Sequence, residues 1–464
     1  MAKVRPFLTF AVTTALFDTG KLQRTKSKTN VPREIQEWGT FKDSLRAPVH
    51  SWFTYPAGFS YKAVQSSIQG AGIIPGKATI YDPFMGSGTT NLVAKTLGFD
   101  SIGVEAHPFV FRVTESKFNW DIDMDAISEV ISELDRYFLR RKKITDETTL
   151  ISQLNAVFPE LILKCYLPET LEELRIIRDF LPRVTIPKES AEFLRTALIC
   201  TLRDVSIAAT GWPYVAPQKI KITGLSKKGW DTFRKRVFKM YSDLCDIQKI
   251  ASSTPSTHRL ILGDSRDTTE QIADNTADYI FTSPPYLNNF DYADRTRLEL
   301  YFMGEAQNWG DITENVRTKL ITSATTQINR SDPKYNFLVS FKEECPHEHV
   351  FLDKAVRKLS ELRLIKGGKK SYDLMVTGYF NDMYRIIKDN FRILRPGCKA
   401  LYILGDSAPY GVHIPTDEII GRIGVAIGFK RYCIKILRER GGKWENNPQR
   451  HNVDLRESIV TLEK

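Results

Sequence analysis

Two short motifs hold most of the residues in this chain that could do chemistry. Residues 282–286 read Thr-Ser-Pro-Pro-Tyr and follow the apolar run 278–281. Far upstream, residues 82–90 read Asp-Pro-Phe-Met-Gly-Ser-Gly-Thr-Thr. The first motif offers a hydroxyl, a free carbonyl and an aromatic face, which suit the exocyclic amino group of a nucleic-acid base. The second is a glycine turn between an acidic residue and a helix, which suits a nucleotide-like methyl donor.

The glycine loop predicts a site for S-adenosylmethionine. Gly86 and Gly88 let a ligand approach bare backbone, and Asp82 can accept a hydrogen bond from the ammonium group of the ligand. Glu105 ends the next predicted strand and can accept from both ribose hydroxyls. Asp264, after the third strand, can accept from the adenine amino group. A dinucleotide site is disfavoured, because the last glycine of the Gly-x-Gly-x-x-Gly signature is missing.

The Ser-Pro-Pro-Tyr motif predicts direct methyl transfer to an amino nitrogen. Such a nitrogen is a poor nucleophile, since its lone pair is conjugated with the ring. Ser283 and the carbonyl of Pro284 can hold the two amine hydrogens, so that the nitrogen becomes tetrahedral. Pro285 stiffens the loop, and Tyr286 offers an aromatic face to an extruded base. Methylation of cytosine carbon 5 is disfavoured, because it needs a thiol nucleophile and no cysteine here follows a proline.

These motifs resemble those of the DNA amino-methyltransferases, in particular the cytosine N4 group. The segment 55–60 similarly resembles one that those enzymes place beside the methionine part of the donor. The resemblance extends from about residue 50 to the C-terminus, apart from two insertions. It implies S-adenosyl-L-methionine as cofactor, duplex DNA as substrate, and Ser283, Pro284, Pro285 and Tyr286 as the catalytic residues. The cofactor-binding residues that it implies are Tyr55, Pro56, Ala57, Phe59, Asp82, Pro83, Phe84, Gly86, Ser87, Gly88, Thr89, Thr90, Glu105, Ala106, Asp264 and Ser265.

Three alternatives to cytosine N4 methylation stay open. The first alternative is adenine N6, although Ser at position 283 favours cytosine N4. The cofactor loop precedes Ser-Pro-Pro-Tyr in this chain, whereas it follows that motif in the common N4 arrangement. RNA methyltransferases acting on guanosine N2 share this order, but they usually carry Asp-Pro-Pro-Tyr and an N-terminal RNA-binding domain, for which residues 1–49 are too few. The third alternative is an inactive recognition subunit, although no motif here is broken.

Composition predicts a large buried core and a reducing environment. The chain has 464 residues, 42% of them hydrophobic, and 66 Lys and Arg against 55 Asp and Glu, which fits a polyanionic partner. The six cysteines show no Cys-x-x-Cys pair, and no apolar run is long enough to span a bilayer, so we expect a cytoplasmic protein. The segment 345–349, Cys-Pro-His-Glu-His, lacks a second ligand cluster at zinc spacing, so no metal is predicted.

The pattern of elements predicts an α/β fold, a Rossmann-like doubly wound methyltransferase sheet with a C-terminal antiparallel hairpin and a large helical insertion. A helix is expected over 379–391, and an interruption of regular secondary structure is expected at 394–397. Strands are expected at 78–82, 101–105, 259–264, 277–282, 399–404, 430–437 and 455–462. The predicted segments are an N-terminal extension (1–49), a catalytic domain in three parts (50–115, 256–304 and 371–464), a helical insertion (116–255) and a second insertion (305–370).

The stretch 212–240 interleaves lysines and arginines with aromatic residues, which suits contact with DNA. The competing interpretation is a solvated basic helix whose aromatic residues lie in the core. The insertion 313–370, with twelve basic and seven acidic residues, is a second candidate for target recognition. The predicted DNA-contacting residues are Lys219, Lys221, Lys227, Lys228, Trp230, Arg234, Arg236, Arg438, Arg440 and Lys443. The sequence thus predicts a site-specific DNA methyltransferase that extrudes its base, with a cognate restriction endonuclease as a possible partner.

Overall fold

The computed structural model describes residues 31–54, 58–140, 146–210, 214–440 and 453–464. The strands are β1 (Thr79–Asp82), β2 (Asp100–Glu105), β3 (Ala208–Ala209), β4 (Ala216–Ile220), β5 (His258–Leu262), β6 (Ala277–Thr282), β7 (Leu394–Gly405), β8 (Arg431–Arg440) and β9 (Leu455–Glu463). The helices are α1 (Arg33–Gln36), α2 (Tyr61–Gly70), α3 (Thr89–Leu97), α4 (Pro108–Phe118), α5 (Met124–Arg140), α6 (Glu147–Asn155), α7 (Glu160–Leu163), α8 (Pro168–Phe180), α9 (Lys188–Val205), α10 (Gly229–Ile250), α11 (Arg297–Met303), α12 (Trp309–Ile312), α13 (Val339–Glu344), α14 (Pro346–Ile365), α15 (Tyr372–Ile393) and α16 (Thr416–Ile427).

Seven strands form one mixed sheet in the order β5-β2-β1-β6-β7-β9-β8. The first five in this order run parallel, whereas β9 is antiparallel to both β7 and β8. The strand order reverses between β1 and β6, which is where open α/β sheets bind their ligands. The predicted doubly wound sheet with its antiparallel hairpin is therefore confirmed.

Side chains alternate between the two faces of the sheet, because successive residues of a strand point to opposite sides. On β1, Ile80 belongs to the hydrophobic cluster that includes residues of α2 and α3. Its neighbour Tyr81 belongs to the cluster that includes residues of α15 and α16. On β6, Phe281 and Ile280 divide between the same two clusters. The carboxyl ends of the strands are thus held rigidly between helical layers.

The helical insertion forms a lobe around α9, and its core is shared with α4 and with residues 49–53. Phe193, Leu198 and Phe233 are fully buried in it. Residues of α11 and α12 share this core, so that the predicted boundary at 304/305 falls inside the lobe. The second insertion lies elsewhere, since α13 and α14 pack with α15 over the sheet.

The structure differs from the sequence prediction at two places. The prediction that regular secondary structure is interrupted at 394–397 is wrong, because β7 already begins at Leu394. The register between β6 and β7 shifts there, and Gly397 adopts a φ of 81°, so a bulge accommodates Pro396 within the strand. The antiparallel hairpin of β3 and β4 was not predicted, and it lies within the insertion that was predicted to be helical.

No helix in the described ranges is long and apolar enough to cross a membrane.

Candidate cofactor and catalytic cleft

A cleft of about 820 Å³ of empty space, its open mouth included, lies over the carboxyl ends of β1, β2, β5 and β6. Its size is in the usual range for small-molecule sites. The predicted residues that line it are Phe59, Pro83, Phe84, Gly86, Ser87, Thr89, Glu105, Ala106, Asp264, Ser265, Ser283 and Pro285. The structure therefore brings the predicted cofactor loop and the Ser-Pro-Pro-Tyr motif into one cleft.

Five predicted residues do not line this cleft, namely Asp82, Gly88, Thr90, Pro284 and Tyr286. Tyr55, Pro56 and Ala57 lie outside the described residues. Sequence reasoning missed the other side of the cleft, which residues of the segment 319–323 supply. No motif marks that segment, because its position depends on how the second insertion returns to the sheet.

The glycine loop between β1 and α3 has a backbone that favours glycine. Gly86 and Gly88 have φ values of 52° and 84°, in the left-handed region. A Cβ atom on Gly88 would lie 2.7 Å from the methyl carbon of Thr114. The loop is thus shaped by close packing as well as by its turn.

Two side chains of α4 donate hydrogen bonds to carbonyl oxygens of this loop. The hydroxyl of Thr114 donates to the carbonyl oxygen of Gly86 at 2.7 Å, and Nζ of Lys117 donates to that of Ser87 at 2.6 Å. Lys117 is fully buried, and this burial lowers its pKa to about 7. Neither residue was predicted, because nothing in a helical stretch of sequence shows that its side chains reach a distant loop.

Glu105 ends β2 with its carboxylate in the cleft. Oε2 accepts from the backbone N–H of Gly86 at 2.8 Å, and Oε1 accepts from that of His107 at 2.7 Å. Burial raises the pKa of this carboxyl to about 7. Each carboxylate oxygen keeps a further lone pair, so the group can still accept from two ribose hydroxyls.

Asp82 lies beneath the loop rather than on the wall of the cleft. Oδ1 accepts from the backbone N–H of Phe84 at 3.0 Å and from the hydroxyl of Thr282 at 2.6 Å. The carboxyl is fully buried, and this burial raises its pKa to about 6. Among the described residues its Oδ2 atom has no hydrogen-bond partner. The placement suits a group that joins the cofactor loop to β6.

Asp264 and Ser265 follow β5 at the far end of the cleft. Nε of Arg266 donates to both carboxylate oxygens of Asp264 at 2.9 Å, and Arg266 also reaches Asp382 at 3.1 Å. The hydroxyl of Ser265 donates to the carbonyl of Pro83. Asp264 is thus oriented by a cation, and it remains partly exposed to a ligand.

Ser283 is positioned by the neighbouring strand. Its hydroxyl donates to the carbonyl oxygen of Ile403 at 3.1 Å, which leaves the oxygen lone pairs available as acceptors. Tyr286 is buried, and its hydroxyl donates to Oε1 of Glu457 at 3.0 Å. The guanidinium of Arg440 lies 5.4 Å from the centre of the Tyr286 ring. In this conformation Arg440 covers the ring.

Several of the predicted DNA-contacting residues bond other groups of the protein instead. Trp230 is buried, stacks on Phe138 with ring centres 5.1 Å apart, and donates to Asp135 at 3.0 Å. The expectation that Trp230 stacks on a base therefore does not fit this structure, which follows the competing interpretation of a core aromatic residue. Arg234 pairs with the same Asp135 at 3.3 Å.

Three further basic residues also have partners within the protein. Arg236 pairs with Asp204, Nε of Arg438 donates to Glu457 at 2.6 Å, and Nζ of Lys221 donates to the carbonyl of Arg203 at 2.9 Å. Lys219 and Lys228 are exposed and Lys227 is half-buried, whereas Lys443 lies outside the described residues.

Cys345 is the residue at the N-terminal cap position of α14, and it is buried. Within the described ranges no group of three or more His, Cys, Asp or Glu side chains could hold an ion.

A doubly wound sheet with a glycine loop at its switch point, and with acidic side chains at or just after the ends of β1, β2 and β5, has the Rossmann-like arrangement that we expected for a methyltransferase. The family model for N6 and N4 methyltransferases, described as DNA methylase, matches residues 15–116. The chain is also similar to the Type II methyltransferase M.BsoBI of Geobacillus stearothermophilus, at 26% identity over 96% of this chain and 92% of the relative.

Two further relatives are similar over most of their length. M.AvaI of Nostoc sp., a Type II methyltransferase, is 26% identical over 86% of this chain and 82% of its own. M.MvaI of Kocuria varians, also a Type II methyltransferase, is 23% identical over 87% and 85%. The solved structure of an rRNA methyltransferase, aviRa of Streptomyces viridochromogenes, matches over 61% of this chain and 79% of its own, at 12% identity and with a TM-score of only 0.20.

These comparisons confirm the resemblance to the DNA amino-methyltransferases of the N4/N6 type, and with it S-adenosyl-L-methionine as the methyl donor.

Proposed function

We propose that this protein transfers a methyl group from S-adenosylmethionine to N4 of cytosine within a specific duplex DNA sequence, by base extrusion and direct transfer. The observation that carries the proposal is the position of Ser283. It lies in the same cleft as the glycine loop and Glu105, with its hydroxyl oxygen free to accept.

The residues of the cleft fit the donor. The backbone of Phe84, Gly86 and Ser87 lies where the methionine end of the donor would bind. Glu105 accepts hydrogen bonds from the ribose hydroxyls, and Asp264 accepts one from the adenine amino group. Bound there, the donor supplies an electrophilic methyl group on a sulfonium. Asp82 acts indirectly, because its carboxylate bonds the loop at Phe84 rather than facing the cleft.

Catalysis then rests on positioning. Ser283 accepts one hydrogen of the cytosine amine and the carbonyl of Pro284 accepts the other, so that the nitrogen lone pair turns out of conjugation toward the methyl group. The role of Pro284 requires that its carbonyl turns toward the base, because Pro284 does not line the cleft in this structure. As the carbon–nitrogen bond forms, the carbon–sulfur bond breaks, and one proton then leaves the nitrogen to water. Tyr286 provides a face for the extruded ring, which requires that Arg440 moves from its position over that ring.

Cytosine N4 is preferred to adenine N6 because a serine, rather than an acidic or amide side chain, begins the motif. The choice rests on the resemblance to the N4 group. Since three relatives are named Type II methyltransferases, we extend the proposal to a cytoplasmic restriction–modification pair with a cognate endonuclease.

Transfer of a labelled methyl group from S-adenosylmethionine to duplex DNA or to bulk tRNA tests this proposal. We expect incorporation into duplex DNA and none into tRNA. Incorporation into tRNA alone would favour the guanosine N2 alternative, and none into either would favour an inactive recognition subunit.

The matched variants are Ser283→Ala and Ser132→Ala, the latter an exposed serine on α5. Ser283→Ala is expected to lower kcat by about a hundredfold or more, with little change in DNA affinity, because the acceptor matters most as the nitrogen rehybridises. Ser132→Ala should retain wild-type turnover. Equal turnover in both variants would mean that Ser283 has only a structural role.

A further inference from the structure

The hairpin of β3 and β4, with the turn that follows it, exposes large apolar side chains. Ile220 is 68% exposed and Ile222 is 79% exposed, and Leu225 lies close behind them in the chain. Lysines stand among these residues, at positions 219, 221, 227 and 228, and residues 214–230 contain no acidic side chain. Apolar side chains set among cations suit a partner with an anionic exterior and an apolar interior, as a stacked nucleic-acid duplex has.

The hairpin is attached to the loop that follows the Ser-Pro-Pro-Tyr motif. The hydroxyl of Tyr214 accepts from the backbone N–H of Asp291 at 3.2 Å. Its ring is stacked on Phe290, with ring centres 5.8 Å apart and planes 6° from parallel. In the same turn of the hairpin, the carbonyl of Thr210 accepts from Arg295 at 3.3 Å. The catalytic loop therefore holds the turn of the hairpin, and β4 leads from that turn to the exposed isoleucines.

The backbone under the isoleucines is closely packed. The N–H of Lys221 donates to the carbonyl of Ile207 at 2.7 Å. A Cβ atom on Gly224 would lie 2.3 Å from the carbonyl oxygen of Ser206, so the turn after Ile222 lies directly against the end of α9. Such a support keeps the two side chains projecting instead of letting them fold back onto the protein.

We infer that Ile220 and Ile222 enter the DNA duplex beside the target and fill the place that the extruded base leaves. This inference rests on the proposed function. Extrusion removes the stacking and pairing of the target base, and an inserted apolar side chain offsets part of that cost by restoring contact with the neighbouring bases. Lys219, Lys227 and Lys228 lie in the same stretch, where they can meet the flanking phosphates.

A second basic and apolar segment provides the matched control. At the end of α14, Leu364 is 75% exposed and Ile365 is 79% exposed, and lysines follow at positions 366, 369 and 370. Its lysines lie near two tyrosine rings, with Nζ of Lys366 5.9 Å from the ring centre of Tyr410 in the loop after β7 and Nζ of Lys370 5.8 Å from that of Tyr372 at the start of α15. The two segments thus share exposure and charge, but among the described contacts it is the hairpin that is attached to the catalytic loop.

The test uses the methylated sequence, read from the DNA of cells that express the protein and built into two duplex oligonucleotides. In one the target base is paired, and in the other it stands opposite an abasic site, which lowers the cost of extrusion. The variants are Ile220→Ala with Ile222→Ala, and Leu364→Ala with Ile365→Ala. Thermal unfolding and S-adenosylmethionine affinity show that each variant is folded.

For the hairpin variant we expect kcat/KM to fall by about tenfold or more on the paired duplex and by less than about threefold on the abasic one. The α14 variant should keep the wild-type ratio between the two duplexes. Equal losses on both duplexes, no loss at all, or a paired-specific loss in the α14 variant instead would each overturn the inference. Absence of methylation by the wild-type protein would overturn the proposed function itself.

Discussion

The carboxylate of Asp82 and the hydroxyl of Thr282 lie 2.6 Å apart, although 200 residues separate them in the chain. Asp82 ends β1 immediately before the glycine loop, and Thr282 ends β6 immediately before Ser283. The same carboxylate oxygen accepts from the N–H of Phe84. One buried group therefore ties the donor site to the methyl-accepting site.

The first prediction is that Asp82→Asn lowers both donor affinity and kcat, and lowers the free energy of unfolding by about 1–3 kcal/mol, because a buried acceptor of two hydrogen bonds is weakened. The matched control is Asp267→Asn, since Asp267 caps the N–H of Thr269 in the same way but is exposed. Titration calorimetry and steady-state kinetics measure the effects. A change in donor affinity alone, with kcat intact, would show that the two sites are not coupled through Asp82.

The second prediction concerns pH. Burial raises the pKa of Glu105 to about 7, so its protonated form stabilises the fold below about pH 4.5, the value of an unperturbed glutamate, and that contribution is lost as pH rises through 7. Ribose hydroxyls need the carboxylate, so S-adenosylmethionine should bind more tightly as pH rises through 7, with release of a proton. Asp82 and Lys117 titrate nearby, at about 6 and about 7.

Comparison with Glu105→Gln isolates the contribution of Glu105. Donor affinity measured by calorimetry on both sides of neutral pH should rise with pH in the wild-type protein and vary less in the variant. An identical pH profile in both proteins would contradict the assignment of Glu105 to the ribose.

The third prediction concerns the support behind the glycine loop. Lys117→Met removes the hydrogen bond to Ser87 while keeping the length of the side chain, and we expect about tenfold weaker donor binding, which is about 1.4 kcal/mol. Lys95→Met is the matched control, because Lys95 is half-buried and donates to the carbonyl of Phe118 at the end of α4, away from the glycine loop. Equal effects of the two substitutions on donor affinity would mean that poorer packing, rather than the missing hydrogen bond to the loop, is responsible.

Burial lowers the pKa of Lys117 to about 7, and this gives the variant a second signature. The folded state binds this proton less tightly than the unfolded chain, so the wild-type protein should gain stability as pH rises from about 7 toward 10.5. The Lys117→Met variant should gain less over that window. Thermal unfolding across alkaline pH checks this expectation.

The fourth prediction separates the lysines of residues 219–228 from the arginines of α10 that pair with carboxylates. Replacing Lys219, Lys227 and Lys228 with Ala should flatten the dependence of DNA affinity on salt, by about 0.9 in slope for each phosphate that the variant no longer neutralises. Replacing Arg234 and Arg236 should leave the slope nearly unchanged and lower stability instead, since these side chains pair with Asp135 and Asp204. The opposite pattern would place the phosphate contacts on α10.

The sheet and the two motifs could be predicted because local sequence determines them. The apolar runs of β1 and β6, the glycine turn at 86–88 and the acidic end of β2 all produce signals within a few residues. The predicted strands accordingly match those in the structure, apart from the bulged start of β7, where proline and glycine suggested a break.

The rest of the cleft depends on contacts between distant parts of the chain. Thr114 and Lys117 look like ordinary helical residues until α4 is placed beside the loop. The sequence predicted that Asp82 faces the ligand, whereas in the structure its carboxylate accepts from Thr282 and from the N–H of Phe84 beneath the loop. Trp230 lies in a stretch of sequence whose basic and aromatic residues suggested contact with DNA. It is held in the core by a hydrogen bond to Asp135, which lies in another helix.

The fifth prediction is the identity of the methylated base. Duplex DNA from cells that express the protein is digested to nucleosides, separated and identified by mass, with DNA from cells expressing Ser283→Ala as the control. We predict N4-methylcytosine with the wild-type protein and strong depletion of it with the variant. N6-methyladenine in its place would contradict the preference for cytosine, and no methylated base in either sample would contradict methyl transfer by this cleft.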